Sequence, residues 1–365
     1  MELDDYIIDL KAFWRENGLC FEPFSVNKPR VGISFMLEDH FVTHLIPLES
    51  TVRYYTDPAY AISVHVAAND LLERELGMRF YPEDCISYIK GGFEIIMGAR
   101  RVINEGNTPW IKSGVSDIGD VKALIKRAEK MDMAAAVPDE WREAREKLRA
   151  EHGRTLRFGH GINGPATMAC NMLGTVNTCE FIMEEPDVMR AYFEVMAEKS
   201  VEYSDAIQLE DIGYISREGW GVNDDDCFLF PPKQYELLCA PFMKKLFDSY
   251  APEPHHRRRQ HSDSNMGHLM GILYDLGIRE VNFGPELGVR DIRKAMPDAV
   301  IYGQMPPFVL RNGSPDDIIR RVRDDIECAH DGGLVESLAG VTPESTPLRN
   351  IRIYMWAVNE YGRIY

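Results

Sequence analysis

The amino-acid sequence predicts an α/β protein, a TIM (β/α)8 barrel with an N-terminal helical extension. Over the last two-thirds of the chain, short apolar runs alternate with amphipathic helical ones, which implies parallel strands joined by right-handed crossovers. Counted from about residue 85, the alternation gives seven or eight units, the number that closes a barrel. A doubly wound open sheet is the competing arrangement, but no GxGxxG or phosphate-loop pattern follows any strand.

The first 80 residues show little periodicity and read as an extension packed on the barrel, which occupies 81–365. DVKALIKRAEKM (120–131) puts Val121, Leu124, Ile125 and Ala128 on one helical face. Residues 138–153 start at Pro138 and stop at Gly153, with Glu143 and Lys147 one turn apart. TLRFGH (155–160) reads as a strand, 186–203 as a helix, and Ala206-Ile207-Gln208-Leu209 as a strand ending in Glu210-Asp211. A helix over 232–250 precedes RRRQHSDSNMGH (257–268), whose first half reads as a strand end. Helix 266–276, strand 278–283, helix 289–295, strand 299–303, helix 315–329 and strand 333–338 complete the pattern. Ser314 is the expected N-cap of the helix 315–329, with Asp317 closing a capping box, and Ile318, Ile319, Val322 and Ile326 form its buried stripe.

A formal net charge of -17 repels phosphate backbones and argues against nucleic acid as a partner. Arg257-Arg258-Arg259 and the basic cluster at 320–323 are better read as helix faces or anion contacts. No positively charged flank leads into an apolar run at the N-terminus, and no stretch reaches membrane-spanning length, so neither a secretory signal nor a membrane is expected. Seven cysteines without a CxxC pair fit reduced thiols and a cytoplasmic location.

Chemistry in such a barrel sits at the carboxyl ends of the strands. The polar residues at those ends are His160 and Asn163, Glu210 and Asp211, His261 and Asp263, Asn282 and Glu286, Gln304, and Glu336 with Ser337. His261 and Asp263 lie two apart on an extended segment, so they project to one side. With Glu286 they converge on one divalent ion, zinc or another first-row metal; the other reading is a histidine that hydrogen-bonds a carboxylate and orients substrate. Glu210 and the run Asn223-Asp224-Asp225-Asp226 are candidate acids or bases, the run reading equally well as an exposed turn. His40 and His44 beside Glu38 lack the carboxylate of an HExxH motif and read as structural.

The run His160-Gly161-Ile162-Asn163-Gly164-Pro165-Ala166-Thr167 resembles the GP-x-T segment of the uroporphyrinogen decarboxylase superfamily, followed here as there by a helix starting Pro186-Asp187-Val188-Met189-Arg190. FLFPPKQYELLCAPFMKKLFDSY (228–250), HSDSN (261–265), NFGPELGVRDIRKAMPDAVIYGQMPP (282–307) and the stretch 332–363 continue the likeness in order. It covers roughly 85–363 and implies a TIM barrel.

The superfamily includes cofactor-free tetrapyrrole decarboxylases, methyltransferases serving corrinoid proteins, and zinc-dependent methionine synthases. Its decarboxylases carry an arginine-rich N-terminal motif; the corresponding region here, 28–50, has Arg30 alone among acidic neighbours, which disfavours a poly-carboxylate porphyrinogen. Its zinc methyltransferases use a His-x-Cys pair and a later Cys. By motif the His falls on His261, the first Cys on Asp263 and the later Cys near Ser337 or Ala339, so both thiolates are replaced. That departure leaves open a harder site of His261, Asp263 and Glu286, with Glu336 as a further member; Glu210, from its predicted strand end, and Glu336 are the expected acid or positioning groups. Such a site suits an oxygen leaving group.

The expected activity is methyl transfer from a small donor, an aryl methyl ether, to the cobalamin of a partner corrinoid protein. His160, Asn163, Asn282 and Gln304 are expected to bind substrate or corrinoid, in a mouth ringed by Gly161, Gly164, Gly284 and Gly340 and by Met305-Pro306-Pro307-Phe308. A homodimer is the family-level expectation. The runner-up is a cofactor-free decarboxylase gripping carboxylates with Arg30, Arg157 or Arg257, and a third reading is an accessory subunit with a decayed site.

Overall fold

The computed structural model describes residues 6–329 and 331–363. Among the described residues, eight parallel strands follow one another in chain order: β1 (Gly32–Ile33), β2 (Cys85–Ser87), then, after an antiparallel hairpin of β3 (Arg100–Val102) and β4 (Trp110–Lys112), β5 (Thr155–Arg157), β6 (Gly219–Asn223), β7 (Arg257–Ser262), β8 (Glu280–Phe283), β9 (Val300–Tyr302) and β10 (Leu334–Glu336). β6 to β10 pair in sequence and β10 pairs with β1, while β2 and β5 pair separately. This is the TIM barrel, with its ladder interrupted between β1 and β2 and between β5 and β6 among the described residues. At the second interruption the Gly164 N–H donates to the Asn223 carbonyl at 2.7 Å, one backbone bond across the seam.

Two strands lie where the sequence does not show them. Ala206–Leu209 is not a strand: it continues the helix Pro186–Ile212, which stops at Gly213 with φ 81°. The apolar run falls on that helix's own buried stripe, with Tyr203 and Ile207 one turn apart. The next strand is β6, GWGVN, whose two glycines hide it from propensity. Gly219 is needed there, because a Cβ on it would stand 2.9 Å from the Arg257 carbonyl oxygen. β1 is two residues long, too short to carry a period, so a barrel strand lies inside the 1–80 segment.

The helices follow the sequence more closely. Val289–Ala295 and Pro315–Cys328 form where expected, the second with Asp317 N donating to Ser314 Oγ at 3.2 Å and Ser314 N to Asp317 Oδ2 at 3.0 Å. Ile318, Val322 and Ile326 face the sheet. All seven cysteines are free, and no helix among the described residues is long and apolar enough to cross a membrane.

Candidate active site

Alternation along the strands decides which side chains reach the barrel interior. On β7, Arg258 donates to the carbonyl of Ala251 at the end of the helix Ala240–Tyr250, so Arg258, Gln260 and Ser262 face the helix layer. Arg257, Arg259 and His261 therefore face inward. Arg257 pairs with Glu280 at 2.7 Å, and Arg259 lies 5.4 Å from the Tyr302 ring. The triple arginine is thus a structural filling of the lower barrel and one helix-end contact, not an anion site.

His261 sits above them at the carboxyl end. Register places it beside Asn223 on one side and Asn282 on the other. Asn282 Nδ2 donates to the carbonyl of Tyr302 and, at 2.7 Å, to that of Leu338, which turns its Oδ1 toward His261 Nδ1 at 2.6 Å. That contact puts the proton on Nδ1 and leaves Nε2 directed at two carboxylates, Asp263 Oδ1 at 3.3 Å and Asp225 Oδ1 at 3.8 Å. The three donor atoms of His261, Asp263 and Asp225 all lie within 4.8 Å of one another. Ligand atoms around a four-coordinate zinc are about 3.3 Å apart, so the spacing and the donor types fit a divalent ion. Burial on its own pushes an imidazole down, but the hydrogen bond to Asp263 and the charges of Asp263 and Asp225 outweigh it, and His261 ends above its ordinary range. Without an ion the same group is a histidine bridging two acids.

The structure brings Asp225 to this group and not Glu286, which is exposed on the loop after β8. Asp225 follows β6, the strand that the sequence does not reveal, and its Oδ1 accepts the Asp263 N–H at 2.8 Å. The neighbouring Asp224 does something else. It is fully buried and accepts the Thr167 N–H at 2.9 Å, while Tyr235 donates to it at 3.2 Å. Burial pushes its carboxyl up to about 7, against the hydrogen bonds that favour the charge. Thr167 is the third residue of the helix Pro165–Leu173, whose N-cap Gly164 has no side chain to offer. Asp224 supplies that cap from across the seam. Thr167 Oγ1 in turn accepts the Asp226 N–H at 3.0 Å. The GP-x-T and Asn-Asp-Asp-Asp runs are therefore two halves of one joint.

The uroporphyrinogen decarboxylase (URO-D) family profile matches residues 93–361, the span that contains this joint and the His261 group. The chain belongs to the uroporphyrinogen decarboxylase family. A methyltransferase from Methanosarcina mazei shares the fold with a TM-score of 0.56 at 16% sequence identity, over 90% of this chain and 99% of that one. Among curated proteins none matches the sequence.

Other residues of this URO-D family member take different places from those expected. Glu210 is not at a strand end: it lies in the last turn of the helix Pro186–Ile212, where Arg142 Nε donates to both its oxygens at 3.1 Å. Glu336 ends β10 but shares a face with Leu334, which is registered with Ile301, so it faces the helix layer. There Tyr354 donates to its Oε2 at 2.8 Å, and its Oε1 has no hydrogen-bond partner. Gln304 is fully buried and donates to the Leu287 carbonyl at 2.6 Å, fixing the loop after β8. Asn163 donates to Glu94 at 2.6 Å, and His160 packs its ring 5.9 Å from Trp220, burial holding its imidazole below the ordinary value. Asn282 orients His261 rather than touching open space.

Of the four glycines expected to ring the mouth, three make room for acids. A Cβ on Gly164 would stand 2.3 Å from that of Asp224, one on Gly284 2.5 Å from the Asp263 carbonyl oxygen, and one on Gly340 2.5 Å from Asp263 Oδ1. Gly161 alone borders open space, a cavity of about 980 Å³. This cavity lies between the ends of β2 and β5 and the N-terminal helices, with Leu37 and Asp39 after β1 on its wall. Between those two, Glu38 lies in the electrostatic field of His261 and Asp263; burial raises its carboxyl. Sequence reading passed over Glu38 as a neighbour of His40, and only the meeting of β1 with β10 brings it to this end of the barrel.

Burial also raises the Glu336 carboxyl well above its ordinary range, with the charge of Asp325 adding to it. The folded state then binds this proton more tightly than the unfolded state, so stability falls as pH climbs above the ordinary carboxyl range. In Glu336→Gln, unfolding by urea is expected to match the native protein near pH 4 and to exceed it increasingly toward pH 8. Binding of a divalent ion at the His261 group is expected to stay within about threefold, because the side chain faces away from the barrel interior; a loss of 100-fold or more would place Glu336 in the site after all.

Proposed function

We propose that the chain moves a methyl group from the oxygen of an aryl methyl ether to the cob(I)alamin of a partner corrinoid protein. The observation that carries this reading is the inward-facing His261–Asp263–Asp225 group at the carboxyl end of the barrel. Membership of the URO-D family and a fold shared with a methyltransferase support it. Imidazole and carboxylates are harder donors than thiolates and suit an oxygen-bound substrate, where the family's thiolates suit sulfur.

Loss of a phenolate needs its developing negative charge balanced. A zinc or similar ion held by His261 Nε2, Asp263 and Asp225 would supply that balance as a Lewis acid. Asn282 keeps His261 in the one ring orientation that serves this role. Glu38 brings a further acid to the same end of the barrel. For the decarboxylase alternative two of the three candidate clamps are engaged elsewhere. Arg30 is fully buried on the carbonyls of Val31 and Phe13, and Arg257 holds Glu280.

The test is the metal content of protein purified without added metal or histidine tag. About one divalent ion per chain is expected, falling at least tenfold in His261→Ala, Asp263→Ala and Asp225→Ala and unchanged in Glu286→Ala. With cob(I)alamin and a panel of methoxyarenes, the absorbance change on methylation should follow the metal content. A metal-free protein that releases carbon dioxide from carboxylic acids and leaves methoxyarenes intact would replace this reading with decarboxylation.

A further inference from the structure

The cavity beside Gly161 has a chemistry of its own. Its walls carry Tyr54, Tyr55, Phe80, Tyr81, Tyr88 and Phe158, a set of flat apolar faces with hydroxyls among them. Three cations also line it, Lys90, Arg101 and Arg157. None of them forms an ion pair among the described residues, although the chain holds 58 acids against 41 lysines and arginines. Lys90 and Arg157 are exposed to the cavity or solvent, and Arg101 is half-buried, with Nη2 on the Gly91 carbonyl at 3.4 Å and Nε without a partner. Of the acids on the same walls, Asp39 accepts the Tyr54 hydroxyl at 3.1 Å and Glu140 is exposed, and neither is ion-paired to these cations; nearby Glu94, which accepts from Asn163, acts on Arg101 through its charge without forming an ion pair.

Three cations without ion pairs on the walls of one cavity create a local positive field in an otherwise acidic protein, a field that attracts an anion. Aromatic walls select a flat, apolar body for it. Small-molecule sites run from about 300 to 1,000 Å³, and about 980 Å³ is at the top of that range, so the cavity has room for a body of two or more rings. We infer that the cavity takes an aromatic carboxylate of two or more fused or linked rings, its carboxylate among Lys90, Arg101 and Arg157 and its rings against Tyr88 and Phe158. The inference rests on the methyl-transfer reading for one point only, that the far end of this ligand carries the methyl ether. Leu37 and Asp39 line the cavity, and Glu38 between them feels the charges of His261 and Asp263, so this is the side on which that end would be presented.

The test uses two fluorescent probes with the same methoxynaphthalene ring system, 6-methoxy-2-naphthoate and the uncharged 2-methoxynaphthalene, titrated into the full chain at fixed salt. The naphthoate is expected to bind at least tenfold more tightly. Arg157→Met and Arg101→Met should each weaken it about tenfold, and Arg157→Lys should restore most of the loss. Because Lys90 and Arg157 are exposed, Lys90→Met and Arg157→Met keep the test open if Arg101→Met fails to fold. Millimolar inorganic phosphate should not displace the naphthoate. Equal binding of the two probes, unchanged binding in the arginine variants, displacement by phosphate, or no binding of either probe would overturn the inference. Methyl transfer to cob(I)alamin is read on the same samples. Selective naphthoate binding without methyl transfer leaves the cavity assignment standing and sinks the methyl-transfer reading; methyl transfer from neutral ethers without naphthoate selectivity does the reverse.

Discussion

His261→Ala is expected to lower methyl transfer by about 10³-fold or more. His261 is the only nitrogen donor in its group, and its ring is set by a chain of hydrogen bonds that begins at two backbone carbonyls, Tyr302 of β9 and Leu338 just past β10. Removing it takes away the nitrogen that would serve as a metal ligand and the imidazole facing Asp263 and Asp225, which stay joined by the Asp263 N–H. The loss should appear in kcat with KM nearly unchanged, because the interaction is made with charge that develops only as the methyl group leaves. Asn282→Leu keeps the imidazole but frees its ring, and should cost about 10- to 100-fold in metal affinity. It should also lower stability by about 1–3 kcal/mol, since the Tyr302 and Leu338 carbonyls lose their donor. A His261→Ala enzyme with a changed KM and native kcat would make this residue a mere substrate holder.

The largest effect on stability is expected from Gly164→Ala. The added methyl would stand 2.3 Å from the Asp224 Cβ and 2.7 Å from its Oδ1, far inside contact distance and against a side chain with no exposed volume to retreat into. Moving Asp224 breaks the cap on Thr167 and strains the Gly164–Asn223 backbone bond at the seam. Overpacking at about 1–3 kcal/mol and a lost buried cap at about 1 kcal/mol together give a loss of roughly 2–4 kcal/mol in urea unfolding. Asp224→Gly removes the obstruction, so in the double variant the penalty of Gly164→Ala measured on that background should shrink to under about 1 kcal/mol. Additive penalties would mean that the two residues do not share one space.

The barrel was legible because its signal is repeated. Val289–Ala295 and Pro315–Cys328 carry amphipathic stripes and a Ser314–Asp317 cap, local features that tertiary contacts do not overrule. Ala206–Leu209 misled because four apolar-rich residues fit either a strand or one turn of a longer helix, and only the preceding stripe from Met189 to Tyr203 decides between them. In the site, His261 and Asp263 were readable from their two-residue spacing on a strand. Asp225 was visible as an acid but not as their partner, since the β6–β7 register that joins them is a property of the closed sheet. Glu336 misled for a related reason: a one-residue phase change along a strand end exchanges the barrel interior for the helix layer.

The interrupted ladder has a consequence for how the molecule comes apart. Six strands share one continuous hydrogen-bonded sheet, whereas β2 and β5 form a pair whose edges are tied to it by side chains and by the Gly164–Asn223 bond. In hydrogen–deuterium exchange the amides of β7 and β8 should then report global unfolding, while those of β2 and β5 exchange through a smaller opening that leaves the larger sheet intact. The wall that opens is the one lined by the cavity, so a ligand bound there would slow exchange on just these two strands. The barrel thus carries its weakest joint beside the cavity, and its firmest sheet under His261.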